Sequence, residues 1–136
     1  MRRSITDLCV ADHQSNPQIL AKWLANKNHR AFVSWLESGS DLLVAELDGR
    51  IVAVGGMNNS GEITLNYVSP DARFRGVGKA MMAALEREAR ELGLAECFLT
   101  STDTAHAFYL TLGYRDDGTE ASMFTPRPVH RMRKRL

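Results

Sequence analysis

The stretch Val68-Ser69-Pro70-Asp71-Ala72-Arg73-Phe74-Arg75-Gly76-Val77-Gly78-Lys79-Ala80 decides the fold of this 136-residue chain. It indicates the end of a strand, a loop and the start of a helix, and the first amides of a helix have no partner within the helix. The helix dipole adds positive potential there, and glycine at positions 76 and 78 lets a phosphate approach the amides. These features predict an anion-binding site. Positive charge around it comes from Arg73, Arg75 and Lys79.

Other phosphate-binding loops also present backbone amides to an anion, and the sequence argues against some of them more strongly than against others. A Walker A loop needs glycine at position 73 and serine or threonine at 80, where the chain has Arg73 and Ala80. A dinucleotide-binding GxGxxG from Gly76 needs glycine or alanine at position 81, which is Met81, and the strands before it look antiparallel. Taken alone, the two glycines have a second interpretation that stays open, namely the start of a helix that needs flexible residues there.

On the N-terminal side of this stretch, the pattern predicts an antiparallel meander. Apolar residues dominate 42–47, 51–54 and 62–68. Asp-Gly at 48–49 and Asn-Asn-Ser-Gly at 58–61 separate these runs, and both sequences are typical of turns between strands. On the C-terminal side, apolar residues spaced by three or four from Val77 to Leu92 predict a helix that ends at Gly93.

The remaining elements complete a mixed α/β pattern. We expect a strand at 97–100, a helix at 103–112 and a last strand at 129–136. Before the meander we expect a strand at 5–10, a helix that begins at Asn16-Pro17 and a short helix that ends near Gly39. The strand–helix–strand unit predicts that 62–68 and 96–100 lie parallel in one sheet. The prediction is a single three-layer domain, 1–136, with a central mixed, mostly antiparallel sheet flanked by helices.

Two motifs in this order resemble one known family. Arg73-x-x-Gly76-x-Gly78 resembles the Q/R-x-x-G-x-G/A signature of the GNAT superfamily of N-acetyltransferases. The segment Ala-His-Ala-Phe-Tyr-Leu-Thr-Leu-Gly-Tyr at 105–114 resembles its A-x-x-x-Y-x-x-x-G-F/Y segment. The resemblance is clear for 42–115 and weak for 1–40. It implies a GNAT-like fold and transfer of an acetyl group from acetyl-CoA to a primary amine, by direct attack in a ternary complex. A non-catalytic acyl-CoA-binding module is the alternative.

The resemblance also implies a set of residues that bind acetyl-CoA. The loop and helix start would hold the pyrophosphate, through Arg73, Phe74, Arg75, Gly76, Val77, Gly78, Lys79 and Ala80. The strand before the loop would pair with the pantetheine arm, through Asn66, Tyr67 and Val68. Thr102 stands where the family often has an asparagine that touches the cofactor, and its hydroxyl could replace part of that contact.

For catalysis, the resemblance assigns Tyr109 as the acid that protonates the departing thiolate. The alternative interpretation is that its ring only packs the helix against the sheet. Glu62 is the candidate base, because it lies fourteen residues before Gly76, as the catalytic glutamate of the histone acetyltransferase branch does. An exposed residue at the start of a strand is the simpler interpretation of Glu62, and Glu46 or a chain of waters are alternative bases.

Composition restricts the partners. A net charge of +1 favours neither nucleic acid nor an anionic membrane. The basic residues at 127–135 lack interleaved aromatics, and we interpret them as charges that keep a terminal strand edge from pairing. Two distant cysteines and four histidines show no metal-ligand spacing, so no metal is expected. No apolar segment follows the N-terminal arginines, and we expect a cytoplasmic protein. The acceptor would be a small-molecule or peptide amine, and a homodimer is compatible with the sequence.

Overall fold

The computed structural model describes residues 1–136 and contains six helices and six strands. The helices are α1 (Arg2–Leu8), α2 (Val10–His13), α3 (Pro17–Leu24), α4 (His29–Glu37), α5 (Val77–Glu91) and α6 (Asp103–Thr111). The strands are β1 (Asp41–Leu47), β2 (Arg50–Met57), β3 (Ile63–Val68), β4 (Glu96–Ser101), β5 (Arg115–Ala121) and β6 (Pro128–Arg135). This order confirms the predicted mixed α/β class with mostly antiparallel strands. None of the helices combines the length and apolar character that crossing a membrane requires.

The strands form two three-stranded sheets, in the orders β1-β2-β3 and β4-β6-β5. Every pairing within them is antiparallel. The sheets meet through one parallel bridge between Glu62 and Phe98, where the Phe98 amide donates to the Gly61 carbonyl at 3.1 Å. The predicted parallel pairing of 62–68 with 96–100 in one sheet therefore holds at one residue pair and is wrong beyond it, because β3 and β4 diverge.

Helix α5 packs across the first sheet and forms the centre of the core. Met81, Met82 and Leu85 on its inner face are each at most 4% exposed. Burial of a side chain of this size stabilises the fold by about 1.5–3 kcal/mol. The helix approaches β2 closely, since a Cβ at Gly55 would lie 2.5 Å from the Met81 sulfur. A side chain at position 55 would therefore displace Met81 from its place in the core.

The N-terminal prediction was half right. Segment 5–10 is helical rather than a strand, because Ile5, Leu8 and Cys9 share a helical face and Ile5 is fully buried. The following helix begins where predicted, since the Asn16 side chain accepts a hydrogen bond from the Gln18 amide at 2.9 Å.

The C-terminal region contains a strand, β5, that the sequence did not indicate. All seven of its residues are exposed, so it lacks the apolar alternation by which a half-buried strand is recognised. It pairs with β6, which makes β6 the central strand of its sheet. The interpretation of the basic residues as protection of an edge is therefore wrong. Arg133 instead forms ion pairs with Glu96 at 2.8 Å and with Asp117 at 2.6 Å.

The joint between the sheets gives a first prediction. Gly61 has a φ of 89°, and a Cβ there would lie 2.7 Å from the Glu96 carbonyl oxygen. We expect Gly61→Ala to lower the free energy of unfolding by about 2–4 kcal/mol, from backbone strain and overpacking together. Gly49 has a φ of 73° with open space around its Cβ, so Gly49→Ala is the matched control and measures strain alone, about 1 kcal/mol. Equal decreases in the free energy of unfolding of the two variants, measured by urea denaturation, would contradict a tight joint between the sheets.

Candidate active site

The divergence of β3 and β4 leaves a cavity of about 550 Å³ between the two sheets. One wall is β3, from Ile63 to Val68, and the other consists of the end of β4 and helix α6. The N-terminus of α5 closes one end of the cavity. The other end is formed by helices α1 and α3, through Ser4, Leu8 and Trp23. The cavity therefore connects the predicted phosphate loop to the N-terminal helices.

At the α5 end, six consecutive backbone amides are unpaired. The first amide that donates to a backbone carbonyl is that of Ala80, which bonds to Gly76 at 2.9 Å. The amides of residues 74–79 have no acceptor within the chain. Gly76 takes a left-handed conformation, with a φ of 76°, and Phe74 does so with a φ of 59°. These turns hold the loop in a shape that presents amides to an anion, as the helix dipole also favours.

The wall formed by β3 has a free backbone edge. One edge pairs with β2, where Asn66 lies opposite Gly55 and Val68 lies opposite Ala53. The other edge faces the cavity, and it has no strand partner after the bridge at Glu62. A ligand with amide groups in an extended chain can pair with such an edge in the manner of an additional strand.

Tyr109 enters the cavity from α6. Its side chain is 8% exposed, and its hydroxyl oxygen accepts a hydrogen bond from Asn66 Nδ2 at 3.4 Å. The proton of the hydroxyl stays available because the tyrosine is the acceptor in this contact. Burial raises the pKa of Tyr109 above its ordinary value, and the hydrogen bond from Asn66 opposes the shift. The phenol is therefore neutral at neutral pH and can donate a hydrogen bond into the cavity.

Helix α6 is held in place by a buried carboxylate that the sequence did not reveal. Asp12 of α2 is 6% exposed, and its Oδ1 accepts from the Asp103 amide at 2.9 Å. Its Oδ2 accepts from the Thr104 hydroxyl. A carboxylate at this position satisfies unpaired amides and stabilises the helix dipole. No local pattern could indicate this contact, because the two segments lie about ninety residues apart.

The structure brings together most of the residues predicted to bind acetyl-CoA. Those that line the cavity are Asn66, Tyr67, Val68, Arg73, Phe74, Gly76, Val77, Gly78, Lys79, Thr102 and Tyr109. Arg75 and Ala80 are exposed beside it and do not line it. Glu62 lies at the bridge outside the cavity, where its carboxylate accepts from Asn58 Nδ2 at 2.9 Å. Its role as a base stays a prediction.

The charges and polar atoms of the cavity restrict what it can bind. Its lining contains the cations Arg73 and Lys79 and has no aspartate, glutamate or histidine. Two buried polar atoms in its walls have no partner in the chain, Asn66 Oδ1 and the indole nitrogen of Trp23. Such orphaned atoms fit a site that is completed by a polar ligand. Burial raises the pKa of the Cys9 thiol to about 12, so this cysteine is no nucleophile at neutral pH.

Comparison with known proteins agrees with this geometry. The model of the acetyltransferase (GNAT) domain family matches residues 10–136. Among curated proteins, an amino-acid acetyltransferase of Azotobacter vinelandii is 33% identical over 82 residues, or 57% of this chain and 19% of that protein. An amino-acid acetyltransferase of Ectopseudomonas mendocina is 32% identical over 93 residues, which cover 65% of this chain and 20% of that protein. The chain thus spans about a fifth of the length of these relatives.

Solved structures show the same fold. A GCN5-related N-acetyltransferase from Rhodopseudomonas palustris superposes with a TM-score of 0.87 at 27% identity, covering 99% of this chain and 84% of that one. The PaiA N-acetyltransferase from Thermoplasma acidophilum, solved in complex with coenzyme A, gives a TM-score of 0.79 at 17% identity. That match covers 99% of this chain and 87% of the other. The second likeness concerns the fold alone.

Gly78 offers a direct test of the phosphate end. A Cβ there would lie 3.4 Å from the Phe108 ring and 3.5 Å from Val68, so the methyl groups of a valine would fill the cavity. We expect Gly78→Val to raise the dissociation constant for CoA about tenfold or more, the equivalent of one lost charge-assisted hydrogen bond. Gly76 is less suitable, because its positive φ would add backbone strain to any such change.

Ala83→Val is the matched control for Gly78→Val, since it places the same side chain on an exposed face of α5. Calorimetry should show normal CoA binding to this control. Normal affinity in a folded Gly78→Val variant would place the pyrophosphate elsewhere.

Proposed function

Because the chain belongs to the GNAT family of acetyltransferases, we propose that this N-acetyltransferase moves an acetyl group from acetyl-CoA to a primary amine inside the cavity described above. The observation that carries the proposal is the position of Tyr109 in the cavity at whose α5 end the unpaired amides of Phe74 and of residues 76–79 lie. A phosphate-binding end and a neutral proton donor thus share one channel, with the free edge of β3 between them.

The chain supplies three kinds of contact for the acyl donor. The amides of residues 74–79, with Arg73 and Lys79, would bind the pyrophosphate. The free edge of β3 would pair with the amides of the pantetheine arm and direct the thioester toward Asn66 and Tyr109. The orphaned oxygen of Asn66 gains a partner when a polar group enters there.

The chemistry follows from groups along this path. The neutral amine attacks the thioester carbonyl, and main-chain amides of β3 near Asn66–Val68 stabilise the resulting oxyanion. The carbon–sulfur bond then breaks, and the Tyr109 hydroxyl donates to the departing sulfur. A thiol with a pKa of about 8.5 is more acidic than a phenol, so the tyrosine acts mainly through its hydrogen bond to the thiolate. The proton that the nitrogen loses on forming the amide passes to water, and CoA leaves as a thiolate that accepts the hydrogen bond of Tyr109.

No side chain in the lining of the cavity can act as a carboxylate or imidazole base. An amine with a pKa of about 10 is mostly protonated at neutral pH, so it must lose a proton before attack. We infer that water at the open side of the cavity takes this proton. The alternative base, Glu62, would need to leave Asn58 and reach across the bridge between the sheets.

The acceptor is proposed to be a small amine that carries a carboxylate, such as an α-amino acid. Arg73 and Lys79 are taken up by the pyrophosphate, but a further cation, Lys27, adjoins the cavity wall, with its Nζ 6.0 Å from the ring of Tyr67. Lys27 is 6% exposed and forms no ion pair with a carboxylate of the chain. A cavity without negative charge disfavours polyamines. The names of the curated relatives, amino-acid acetyltransferases, support the same class.

Thiol release from acetyl-CoA, measured with a panel of acceptors, tests the proposed function. We expect α-amino acids to be acetylated about tenfold or more faster than polyamines at equal concentration, because the lining has no carboxylate to pair with the additional ammonium groups of a polyamine. A preference for polyamines would contradict the acceptor class. CoA binding without turnover of any acceptor would favour the non-catalytic acyl-CoA-binding module.

Tyr109→Phe separates the enzyme from the binding module. We expect kcat to fall about a hundredfold while CoA affinity stays near normal, since the hydrogen bond from the hydroxyl to the departing sulfur strengthens in the transition state. Tyr114→Phe is the matched control. Tyr114 is fully buried, its hydroxyl has no partner, and its ring lies 5.9 Å from that of Tyr109 outside the cavity lining.

The control variant should keep wild-type turnover. The wild-type rate should also show no decline from phenol ionisation below pH 10, the ordinary pKa of tyrosine, because the pKa of Tyr109 is raised. Wild-type kcat in Tyr109→Phe would refute the role of the hydroxyl.

A further inference from the structure

A group of two histidines and two aspartates lies on the side of α6 that faces away from the cavity. The imidazoles of His106 and His130 stack with centroids 3.9 Å apart. His106 Nε2 is 2.7 Å from Asp116 Oδ1, and His130 Nε2 is 2.9 Å from Asp103 Oδ1. One ligand atom from each of His106, Asp116 and His130 lies within 4.8 Å of the other two. None of these residues lines the cavity.

The fold explains why these side chains meet. His106 lies on α6, Asp116 on β5 and His130 on β6. Along β6, His130 shares a face with the buried Met132, since side chains alternate along a strand. Asp116 is the partner of Met132 in the β5–β6 pairing, which brings it to the same region. No spacing in the sequence could indicate the group, because its members come from three separate elements.

We propose that His106, His130 and Asp116 form a binding site for a divalent transition-metal ion, with Zn²⁺ as the preferred one. Two imidazoles and a carboxylate are typical ligands of zinc, which takes four ligands in a tetrahedral arrangement. Asp103 or a water molecule provides the fourth position. Mg²⁺ and Ca²⁺ are excluded by the same ligands, because these ions prefer oxygen alone.

Metal coordination requires one change in this arrangement. An imidazole coordinates through the nitrogen lone pair in the plane of its ring, and the two ring planes differ by only 19°. One ring must therefore rotate out of the stack so that both nitrogens point to a common centre. The histidine side chains are 24% and 28% exposed, which leaves room for this rotation.

The surrounding charge favours a cation at this position. Two carboxylates, those of Asp103 and Asp116, contact the imidazoles. One arginine pairs with a member of the group, since the guanidinium of Arg127 lies 3.0 Å from Asp103. The group therefore has one carboxylate in excess over its arginine. A bound ion would connect α6 to β5 and β6 and so would fix the back of the helix that carries Tyr109.

The test is a titration of the tag-free protein with Zn²⁺ in competition with a chromogenic chelator. We expect one equivalent to bind, with no binding of Mg²⁺ at the same concentration. His106→Gln, His130→Gln and Asp116→Asn should each weaken Zn²⁺ binding about tenfold or more. His29→Gln is the matched control, since His29 is exposed on α4 outside the group, and it should bind as the wild type does.

A second variant keeps the proposal testable if a glutamine substitution disturbs the fold. Asp116→His would complete a set of three imidazoles, so it should tighten Zn²⁺ binding while circular dichroism stays unchanged. Absence of Zn²⁺ binding to the wild type would overturn the proposal. Binding that survives the loss of either histidine, or that Asp116→His leaves unchanged, would overturn it as well.

Discussion

The two sheets are joined at one backbone contact, and the cavity exists because the pairing stops there. The Phe98 amide donates to the Gly61 carbonyl at 3.1 Å, and no further pair connects β3 to β4. Continued pairing would satisfy the edge of β3 and would close the space that Tyr109 enters. The end of the pairing at this bridge thus leaves both the space between the sheets and an unpaired strand edge within it.

Unpaired backbone groups are also the main feature of the end of the cavity at the N-terminus of α5. The amides of residues 74–79 and the free edge of β3 both offer main-chain hydrogen bonds to a ligand. Every residue has these main-chain groups whatever its side chain, so the sequence at these positions needs to specify only the shape of the backbone. Left-handed turns at Phe74 and Gly76 give that shape here. Side-chain chemistry is concentrated instead at Asn66 and Tyr109.

The sequence was sufficient to bring Gly76, Gly78 and Tyr109 to one cavity and insufficient elsewhere, for identifiable reasons. Gly76, Gly78 and Tyr109 could be located because the local motif and the local geometry coincide. The strand β5 was missed because both of its faces are exposed, and segment 5–10 was assigned as a strand although its apolar spacing also fits a helix. Asp12 could not be linked to α6, since contacts between distant segments depend on the complete fold.

The two ends of the cavity come from different parts of the chain. The N-terminus of α5, the free edge of β3 and Tyr109 belong to residues 63–109, whereas the opposite end is built by residues 4–23. Substitutions in the first helices can therefore reshape one end without altering the other. Such separation allows the selectivity for a ligand to change through about twenty N-terminal residues while the remaining walls of the pocket keep their residues.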